Sequence, residues 1–597
     1  MADRDDGLRS GQDVSDTRDD APSRDAGTDE AIAAEREVES LSTEPPMLEV
    51  GPVVEVPAPP AEASTGGRRG PTFARATSLL IGMTLLSRIV GFLRDMVIAY
   101  KFGAYGITDA YNVANGLPTF LTSVLSGGLD SIVVPHVGPY FGRGDTRRAY
   151  GLVNALALYA GGAAAFLVLV VTLFAPQVIT ILAPHLRPHD IQVGAHLARI
   201  LVWTVAFGVY FYLGAASLIA NDRFFYMSVG PVFMSASATV VLLLVHRPPI
   251  VLLAIGLLIG YILQFLFVAV PIARNWKSFP SLREIGPGDP EVKSMLRLAY
   301  PALISSSVGQ VNTLVDRFFG SGLAIGSITE VTLANRVAQV PLGLFGYAVS
   351  NASYPGLARA YKDGDMVRLK ALWTRDLRVI ILLTTAVMAE MVALTSPIAY
   401  AAYRHGRLTS SAASVIASAL LWYALCLVPF GVRTVVNRGF FLTGNSRILS
   451  RISVVFVVLN AAGDAIFSRL MKAPGLAFGT MIDQWLSIGG TFYFLSTIMP
   501  ALPTRAALDA FGRAVAASVP MGLAAYFGDH LLAGALPHFA ASVAGRFVVL
   551  AFGAGVGAAV GVGSFIAVRY PELDAVISRV RGILAGRRGG KAGGQRA

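Results

Sequence analysis

Charged side chains recur inside apolar stretches of this sequence. Arg88, Arg94 and Asp95 all lie in the apolar stretch 77–100. A central arginine costs a membrane helix roughly 2.5–3.5 kcal/mol by insertion scales, and such residues almost always face a cavity. Arg88 and Asp95 are seven residues apart and share a helical face, whereas Arg88 and Arg94, six apart, do not share one narrowly. Arginine suits an anionic headgroup, because its guanidinium binds phosphate through two parallel hydrogen bonds. For Arg94 and Asp95, an ion pair near the membrane interface is the alternative.

A second group of polar side chains offers oxygen atoms to a cation. Asn460 and Asp464 are four residues apart, so both project from one face of a helix. Asp316 and Thr480 lie in two other apolar stretches. Carboxylate and amide oxygens are hard ligands that suit a cation such as sodium, or a proton relay. Hydrogen bonding between helices is the alternative, and for Asn460 alone it would be the better interpretation.

The elements that must position these residues are membrane helices. Of 597 residues, 54% are hydrophobic and 15% charged, and the mean hydropathy is +0.58. A soluble protein of this length needs far more charge on its surface. Roughly 20 apolar residues cross the hydrocarbon core as a helix, and about fourteen stretches qualify. They are 77–100, 108–136, 150–175, 193–220, 226–246, 250–273, 296–319, 327–352, 377–400, 412–432, 451–471, 474–498, 508–532 and 541–568.

The distribution of basic residues predicts the orientation. If the N-terminus is inside, the inner connections hold basic clusters such as 143–148, 274–297 and 359–378, and the outer connections hold few. Lys and Arg on short loops favour the cytoplasmic side. Both termini are therefore expected in the cytoplasm, which requires an even number of spans. Residues 1–72 are expected to form a disordered acidic cytoplasmic tail, and residues 571–597 a basic one.

The sequence also repeats itself at a spacing of about 220 residues. Gly106 aligns with Gly326, Ala114-Asn115 with Ala334-Asn335, Pro135 with Pro355, and Gly144-Asp145 with Gly364-Asp365. Six predicted spans separate the matches, so both halves have the same orientation, a pattern typical of transporters with the substrate path between the halves. The predicted fold is an all-α polytopic membrane protein. Its domains are two six-helix lobes, at 73–275 and 290–498, and two extra transmembrane helices at 505–570.

Motifs of soluble enzymes are absent from the sequence. It has no Walker loop, no Gly-x-Ser-x-Gly elbow and no His-Glu-x-x-His motif. The single cysteine, Cys426, excludes an internal disulfide and a zinc site built on cysteines. We therefore expect a protein that is not an enzyme, with no tightly bound cofactor and no nucleic-acid partner.

In these residues and in the stretches given below, the chain resembles the MurJ/MviN family of lipid II flippases. This family lies within the multidrug/oligosaccharidyl-lipid/polysaccharide exporter superfamily. The resemblance covers about residues 75–500 and, more loosely, the last two helices. The specific stretches are LSRIVGFLRD (86–95), FGA (102–104), TDAY (108–111), NTLVDR (312–317) and ANRVAQVPLGLFG (334–346).

The resemblance implies a fold, a mechanism and roles for individual residues. It implies fourteen helices, a V-shaped cavity between two lobes, and alternating access that moves an undecaprenyl-pyrophosphate-linked glycan to the outer leaflet. Arg88, Arg94 and Arg336 match the family's cavity arginines, and Asp109 matches its cavity aspartate. A set of five residues matches sodium-binding positions of some members, Leu476 through its carbonyl: Asp316, Asn460, Asp464, Leu476 and Thr480.

The sequence departs from the family pattern at three places in the expected cavity. Thr122 stands at the position of a cavity arginine, and Gly127-Gly128 where Glu-Gly is usual. Gln339 stands where many members have Glu. These changes alter the charge balance of the cavity and bear on which headgroup it binds.

The leading hypothesis is a flippase for a polyprenyl-pyrophosphate-linked glycan, lipid II first, in the bacterial cytoplasmic membrane. Coupling to a cation such as Na⁺ or to the membrane potential is expected. The expected partners are the lipid-linked glycan, membrane lipids and cell-wall synthesis proteins, with the chain as a monomer. Three alternatives stay open: a flippase for an exopolysaccharide or other glycolipid unit, a cation-coupled drug exporter, and a membrane scaffold acting through its acidic tail.

Overall fold

The computed structural model describes residues 71–221, 223, 225–274, 285–286, 288–499 and 502–573, and in this part the chain is all-helical. The predicted tails therefore lie almost wholly outside the described residues. The helices are α1 (Pro71–Phe102), α2 (Gly106–Gly142), α3 (Thr146–Leu173), α4 (Ala175–Leu182), α5 (Pro188–Leu201), α6 (Trp203–Ala220), α7 (Phe225–Leu244), α8 (Ile250–Ala273), α9 (Pro290–Gly320), α10 (Ser327–Lys362), α11 (Met366–Ala393), α12 (Thr395–Tyr403), α13 (Ser410–Leu425), α14 (Leu427–Leu442), α15 (Ser446–Met471), α16 (Ala473–Ile498), α17 (Thr504–Ala535), α18 (Pro537–Ala541) and α19 (Val543–Ala567).

Two sets of eight helices repeat in the same order. We call α1–α8 the first repeat and α9–α16 the second. The chain breaks between α3 and α4 at residue 174 and between α11 and α12 at residue 394, a spacing of 220 residues. Both repeats also break a later helix, at Val202 and Cys426. Each predicted apolar stretch overlaps one helix or a broken pair, but apolar length alone does not predict these breaks.

Local capping explains why the repeat motif Gly-Asp recurs. Gly144 and Gly364 both adopt a positive φ, of 79° and 69°. The carboxylate of the following aspartate then caps the next helix: Asp145 accepts from the backbone N–H of Arg148 at 3.0 Å, and Asp365 from that of Arg368 at 2.9 Å. Equal caps at equal positions confirm that the two halves are structural repeats.

The apolar helices identify a multi-pass membrane protein. Within the described residues, seven helical segments are long and apolar enough to cross a membrane, and two of them are the pairs α5–α6 and α13–α14. An eighth span results if α11 and α12, bent by 73°, count as one. Large apolar side chains such as Phe166, Leu244 and Leu470 are exposed, as expected for a lipid-facing surface. The total of fourteen spans and the domain limits stay predictions.

Helices from both repeats meet along the centre of the molecule. α2 of the first repeat packs on α9 of the second, and α1 packs on α10. Outside the repeats, α17 and α19 pack on each other and α17 packs on α11. Gly553, Gly557 and Gly561 of α19 are buried against α17, and a Cβ at Gly553 would lie 2.9 Å from the Ala525 carbonyl oxygen. The central cavity is therefore formed by the repeats alone.

Candidate substrate cavity and cation site

A polar cavity lies between the two repeats. Two connected compartments, of about 590 and 350 Å³, share Arg88, Asp316, Asn335 and Gln339 in their walls. A third compartment of about 450 Å³ is lined by Arg88, Arg94, Asp95, Arg336 and Gln339. Arg88 lines all three, so it stands at the junction of the cavity.

Three charged residues form a cluster in the wall of the third compartment, in which Arg94 and Asp95 are buried and Arg336 is partly exposed. Arg94 donates through Nη2 and Nε to Asp95 Oδ1, at 2.8 and 3.0 Å. Arg336 Nε of the second repeat lies 3.6 Å from the other oxygen, Asp95 Oδ2. Asp95 thus holds one arginine from each repeat. The cluster carries one net positive charge in a region where burial makes charge costly.

Arg88 approaches the second repeat at a glycine. A Cβ at Gly343 of α10 would lie 3.0 Å from Arg88 Nε. Arg88 is half-buried and lies in all three compartments. A larger residue at 343 would press on the guanidinium and displace it.

Asp109 lies away from the arginines, at the end of the bundle that carries the α1–α2 turn. Asp109 Oδ2 accepts from the backbone N–H of Gly326 at 2.6 Å, and Oδ1 accepts from the N–H and hydroxyl of Thr329 at 2.8 and 2.6 Å. A first-repeat carboxylate therefore caps the first turn of α10 in the second repeat. Asp109 joins the repeats instead of facing the three compartments.

Thr122 and Gln339 lie in different surroundings. Thr122 is buried, its hydroxyl donates to the Pro118 carbonyl and also interacts with the Tyr261 hydroxyl, and its methyl group lies next to Gly208. It faces the interior of the first repeat. Gln339 lines all three compartments and donates from Nε2 to Asn335 Oδ1 at 2.6 Å.

The oxygen-bearing residues converge where α9, α15 and α16 meet. Asp316 lines the 590 and 350 Å³ compartments, and Asn460 and Asp464 of α15 are almost fully buried. Asp316 Oδ1, Asn460 Oδ1 and both Asp464 oxygens accept no hydrogen bond. The Thr480 hydroxyl donates to the Leu476 carbonyl oxygen at 3.0 Å. Buried oxygens without a donor are costly, so this donor set fits a hard cation such as sodium.

Glycine makes this convergence possible. A Cβ at Gly479 of α16 would lie 2.9 Å from Asp464 Oδ1, and a Cβ at Gly463 of α15 would lie 3.5 Å from the Gly479 Cα.

No group of three or more His, Cys, Asp or Glu side chains among the described residues is placed to hold a metal. The site offers two carboxylates with amide, hydroxyl and carbonyl oxygens, a set suited to a weakly bound monovalent ion.

Sequence reasoning missed a polar strip next to these oxygens. Asp483 and Gln484 of α16 and Arg433 of α14 line the largest compartment. Arg433 donates to Ser487 Oγ at 3.0 Å, and Asp483 Oδ1 is buried and accepts no hydrogen bond. The available signal was a carboxylate inside the predicted span 474–498. Arg317 lies beside Asp316 in the apolar stretch 296–319, and only the fold decides what it contacts.

Comparisons with known proteins agree with this architecture. A family model described as "Lipid II flippase MurJ" matches residues 98–543. A probable lipid II flippase MurJ of Rickettsia prowazekii is 25% identical over 456 residues, covering 74% of this chain and 87% of the relative. One from Vibrio cholerae is 27% identical over 434 residues, covering 69% and 80%.

Solved structures share the fold. A lipid II flippase MurJ in an inward closed conformation matches with a TM-score of 0.67 and 22% identity, covering 82% of this chain and 99% of that one. An inward-facing multidrug resistance transporter of the MATE family and MOP superfamily matches with a TM-score of 0.53 and 16% identity, covering 71% and 95%.

Two helical repeats around a polar cavity are the fold that the chain shares with these solved transporter structures. The chain belongs to the MurJ family of lipid II flippases, whose model matches most of its length. This is a family of transporters, and the predicted family resemblance is confirmed.

Proposed function

We propose that this protein moves a polyprenyl-pyrophosphate-linked cell-wall precursor, lipid II first, from the inner to the outer leaflet by alternating access. The observation that carries the proposal is the convergence of Arg88, Arg94 and Arg336 from both repeats on one central cavity. A pyrophosphate cannot cross the hydrocarbon core without replacing its hydration shell. Guanidinium groups replace that shell with charge-assisted hydrogen bonds.

The arginines of the cavity come from both repeats, which supports binding of the headgroup between the repeats. Asp95 orients Arg94 and Arg336, so both guanidinium groups are held in place before a headgroup arrives. Arg88 stands at the junction of the compartments and binds the headgroup from the α1 side. Because the arginines belong to both repeats, a bound pyrophosphate draws the repeats together, and its release lets them part.

The contacts at the end that carries the α1–α2 turn supply the gate. Opening toward that end, which we assign to the outside, requires Asp109 to leave the first turn of α10. The Arg407 N–H must also leave the Tyr100 carbonyl oxygen, to which it donates at 3.0 Å. These contacts favour the form that is closed outside. Headgroup and cation binding then bias the equilibrium between the two forms.

We further propose sodium as the coupling ion. Asp316, Asn460, Asp464, Thr480 and the Leu476 carbonyl would hold it. The buried oxygens of Asp316, Asn460 and Asp464 that accept no hydrogen bond support this proposal, as does the Thr480 hydroxyl next to the Leu476 carbonyl. Sodium would neutralise the carboxylates beside the pyrophosphate site. The protein acts in the bacterial cytoplasmic membrane as a monomer with both termini in the cytoplasm, close to cell-wall synthesis proteins. The basic inner connections support this orientation.

The test is depletion of the protein in cells that have no other lipid II flippase, followed by measurement of lipid II exposed on the outer leaflet. Exposure should fall, and the native gene should restore it. Arg88→Ala should not restore it, whereas Arg513→Ala, which removes an exposed arginine paired with Asp509 on α17, should. Unchanged lipid II exposure with loss of another lipid-linked glycan would transfer the proposal to that cargo.

A further inference from the structure

Arg317 of α9 crosses from the second repeat to the first. Its guanidinium occupies the space beside Gly116 of α2, where a Cβ would lie only 1.5 Å from Arg317 Nη1 and 2.6 Å from Cζ. The residue is buried, with 8% of its surface exposed. The Arg317 side chain therefore packs against Gly116 where any larger residue would have its Cβ, and a substitution at 116 would displace it.

This buried charge is incompletely satisfied. Arg317 Nη1 donates no hydrogen bond, although it has almost no contact with solvent. The charge of Arg336 repels it and that of Asp316 attracts it. Asp316 also faces Asp464 in the candidate cation site. A buried guanidinium with a free donor and a like charge beside it is unfavourable unless an anion completes its surroundings.

Arg317 shares its compartment with the arginines already assigned to the headgroup. Arg88, Arg317 and Arg336 all line the 350 Å³ compartment, together with Thr119 and Ser123 of α2. Arg94, Arg317 and Arg336 also act electrostatically on one hydroxyl, that of Tyr111. Arg88, Arg317 and Arg336 come from α1, α9 and α10 and line one common compartment.

Thr122 of α2 supplies no positive charge to this compartment. The arginine expected at 122 is missing, and Thr122 itself faces Gly208 and Tyr261 inside the first repeat. One turn and a half earlier on the same helix, Gly116 receives an arginine from the other repeat. The positive charge next to α2 in this compartment therefore comes from α9.

We propose that Arg317 is a further anion-binding residue of the cavity, which binds the diphosphate of the lipid carrier together with Arg88 and Arg336. The proposal rests on the proposed function, since it assigns a residue to the same headgroup site. The diphosphate oxygens would contact the Arg317 guanidinium from the 350 Å³ compartment that this residue lines. Because Arg317 is anchored on the first repeat and belongs to the second, the bound anion would bridge the two.

The competing role is purely structural, with Arg317 acting as a spacer between α2 and α9. Both roles predict that its removal lowers the melting temperature. Only the anion-binding role predicts that removal lowers the affinity for a diphosphate relative to the matching monophosphate. Arg317→Lys keeps a charge, Arg317→Gln removes it, and Gly116→Ala keeps the arginine but displaces its guanidinium.

The experiment measures binding of undecaprenyl pyrophosphate and undecaprenyl phosphate to the purified full-length protein in nanodiscs by native mass spectrometry. Arg317→Gln should weaken pyrophosphate binding by more than about tenfold, as loss of one charge-assisted hydrogen bond predicts. It should weaken monophosphate binding less. Arg317→Lys should stay within about threefold of the native protein. Gly116→Ala should fall between the two, and the exposed Arg513→Gln should match the native protein.

Arg88→Gln separates this proposal from the proposed function. If Arg88→Gln loses pyrophosphate binding but Arg317→Gln and Gly116→Ala keep native affinity, Arg317 is a spacer and the inference is overturned. If the native protein binds neither lipid, or if Arg88→Gln also binds normally, the headgroup site itself is refuted. Should Arg317→Gln fail to fold, Gly116→Ala decides: native affinity with a displaced guanidinium overturns the proposal.

Discussion

Asp95 determines how two of the cavity arginines are held. One oxygen accepts two hydrogen bonds from Arg94 and the other faces Arg336, so a single carboxylate orients one guanidinium from each repeat. A carboxylate shared in this way reduces the repulsion between the arginines without cancelling their charge. An ion pair with Arg94 near the membrane interface is the alternative to a cavity position for Asp95. In the structure Asp95 lines the third compartment and faces Arg336 of α10.

At the residue scale, we predict that Asp464 carries the response to sodium. Asp464→Asn should abolish the rise in melting temperature that the native protein shows when sodium chloride replaces choline chloride, because a ligand that binds the folded state stabilises it. The measurement is thermal unfolding of the purified protein in both salts.

Asp529→Asn is the matched control for Asp464→Asn. Asp529 is also a buried membrane carboxylate, but it pairs with Arg546 between α17 and α19, far from the oxygen cluster in the chain. This variant should unfold at a lower temperature and still respond to sodium. A sodium response retained by Asp464→Asn would contradict the assignment of the cation site.

At the scale of elements, close helix contacts depend on glycines that no motif singles out. The first turn of α16 approaches α15 so closely that a Cβ at Gly475 would lie 2.0 Å from the Phe467 carbonyl oxygen. Because this neighbour is backbone, it cannot rotate away. The contact sets the spacing of α15 and α16, and with it the distance between Asp464 and Leu476.

We therefore predict that Gly475→Ala lowers the free energy of unfolding by about 1–3 kcal/mol, as overpacking does. Gly489→Ala, on the same helix with nothing within 4 Å of the added Cβ, should be neutral or stabilise the helix by up to about 1 kcal/mol. Thermal or denaturant unfolding of the two variants compares them. Equal stabilities would show that α16 can shift without cost.

The cap on α10 is a second element whose role can be tested. Asp109→Ala removes the acceptor for the first turn of α10 and should lower the free energy of unfolding by about 1–2 kcal/mol. It should also speed opening of the end that carries the α1–α2 turn, measured as thiol labelling of a cysteine placed at Asn112, whose amide donates to Thr329 Oγ1 at 3.0 Å.

The control removes a cap that lies within one repeat. Asp145→Ala deletes the carboxylate that accepts from Arg148 N–H at the start of α3. It should cost similar stability but leave labelling at position 112 unchanged. Equal labelling in both variants would show that the Asp109 cap does not hold this end closed.

At the scale of the whole molecule, orientation is the main prediction. In a Cys426→Ala background, which removes the chain's single cysteine, Arg143→Cys should react only with a thiol reagent supplied from the cytoplasm. Arg187→Cys should react only from the outside, since both positions are exposed at opposite predicted sides. Labelling of both from the same side would refute the predicted topology.

The molecule also unites two repeats that differ in what they contribute. The first repeat supplies Arg88, Arg94 and Asp95, whereas the second supplies Arg336, Arg317 and the oxygen cluster. Arg88 of the proposed anion site and Asp316 of the proposed cation site line the same two compartments. A relative motion of the repeats would therefore change both proposed sites together, which would be the physical basis for coupling.

The sequence by itself determined the helical class, the position of each long helix and the internal repeat. Apolar length and the 220-residue spacing are local and periodic signals, so they can be read along the chain. It also marked Arg88, Arg94, Arg336, Asp316, Asn460 and Asp464, because a charge or amide inside an apolar stretch is conspicuous wherever the helix packs.

Only the tertiary structure decided what those residues face. Asp109 looks like a cavity residue in sequence but caps α10, and Thr122 turns into its own repeat. Arg317 reaches the cavity only because Gly116, 201 residues earlier in the chain, leaves room for it. The direction of a side chain depends on which helix lies opposite, and that pairing is set by packing between distant segments, which the sequence pattern does not encode locally.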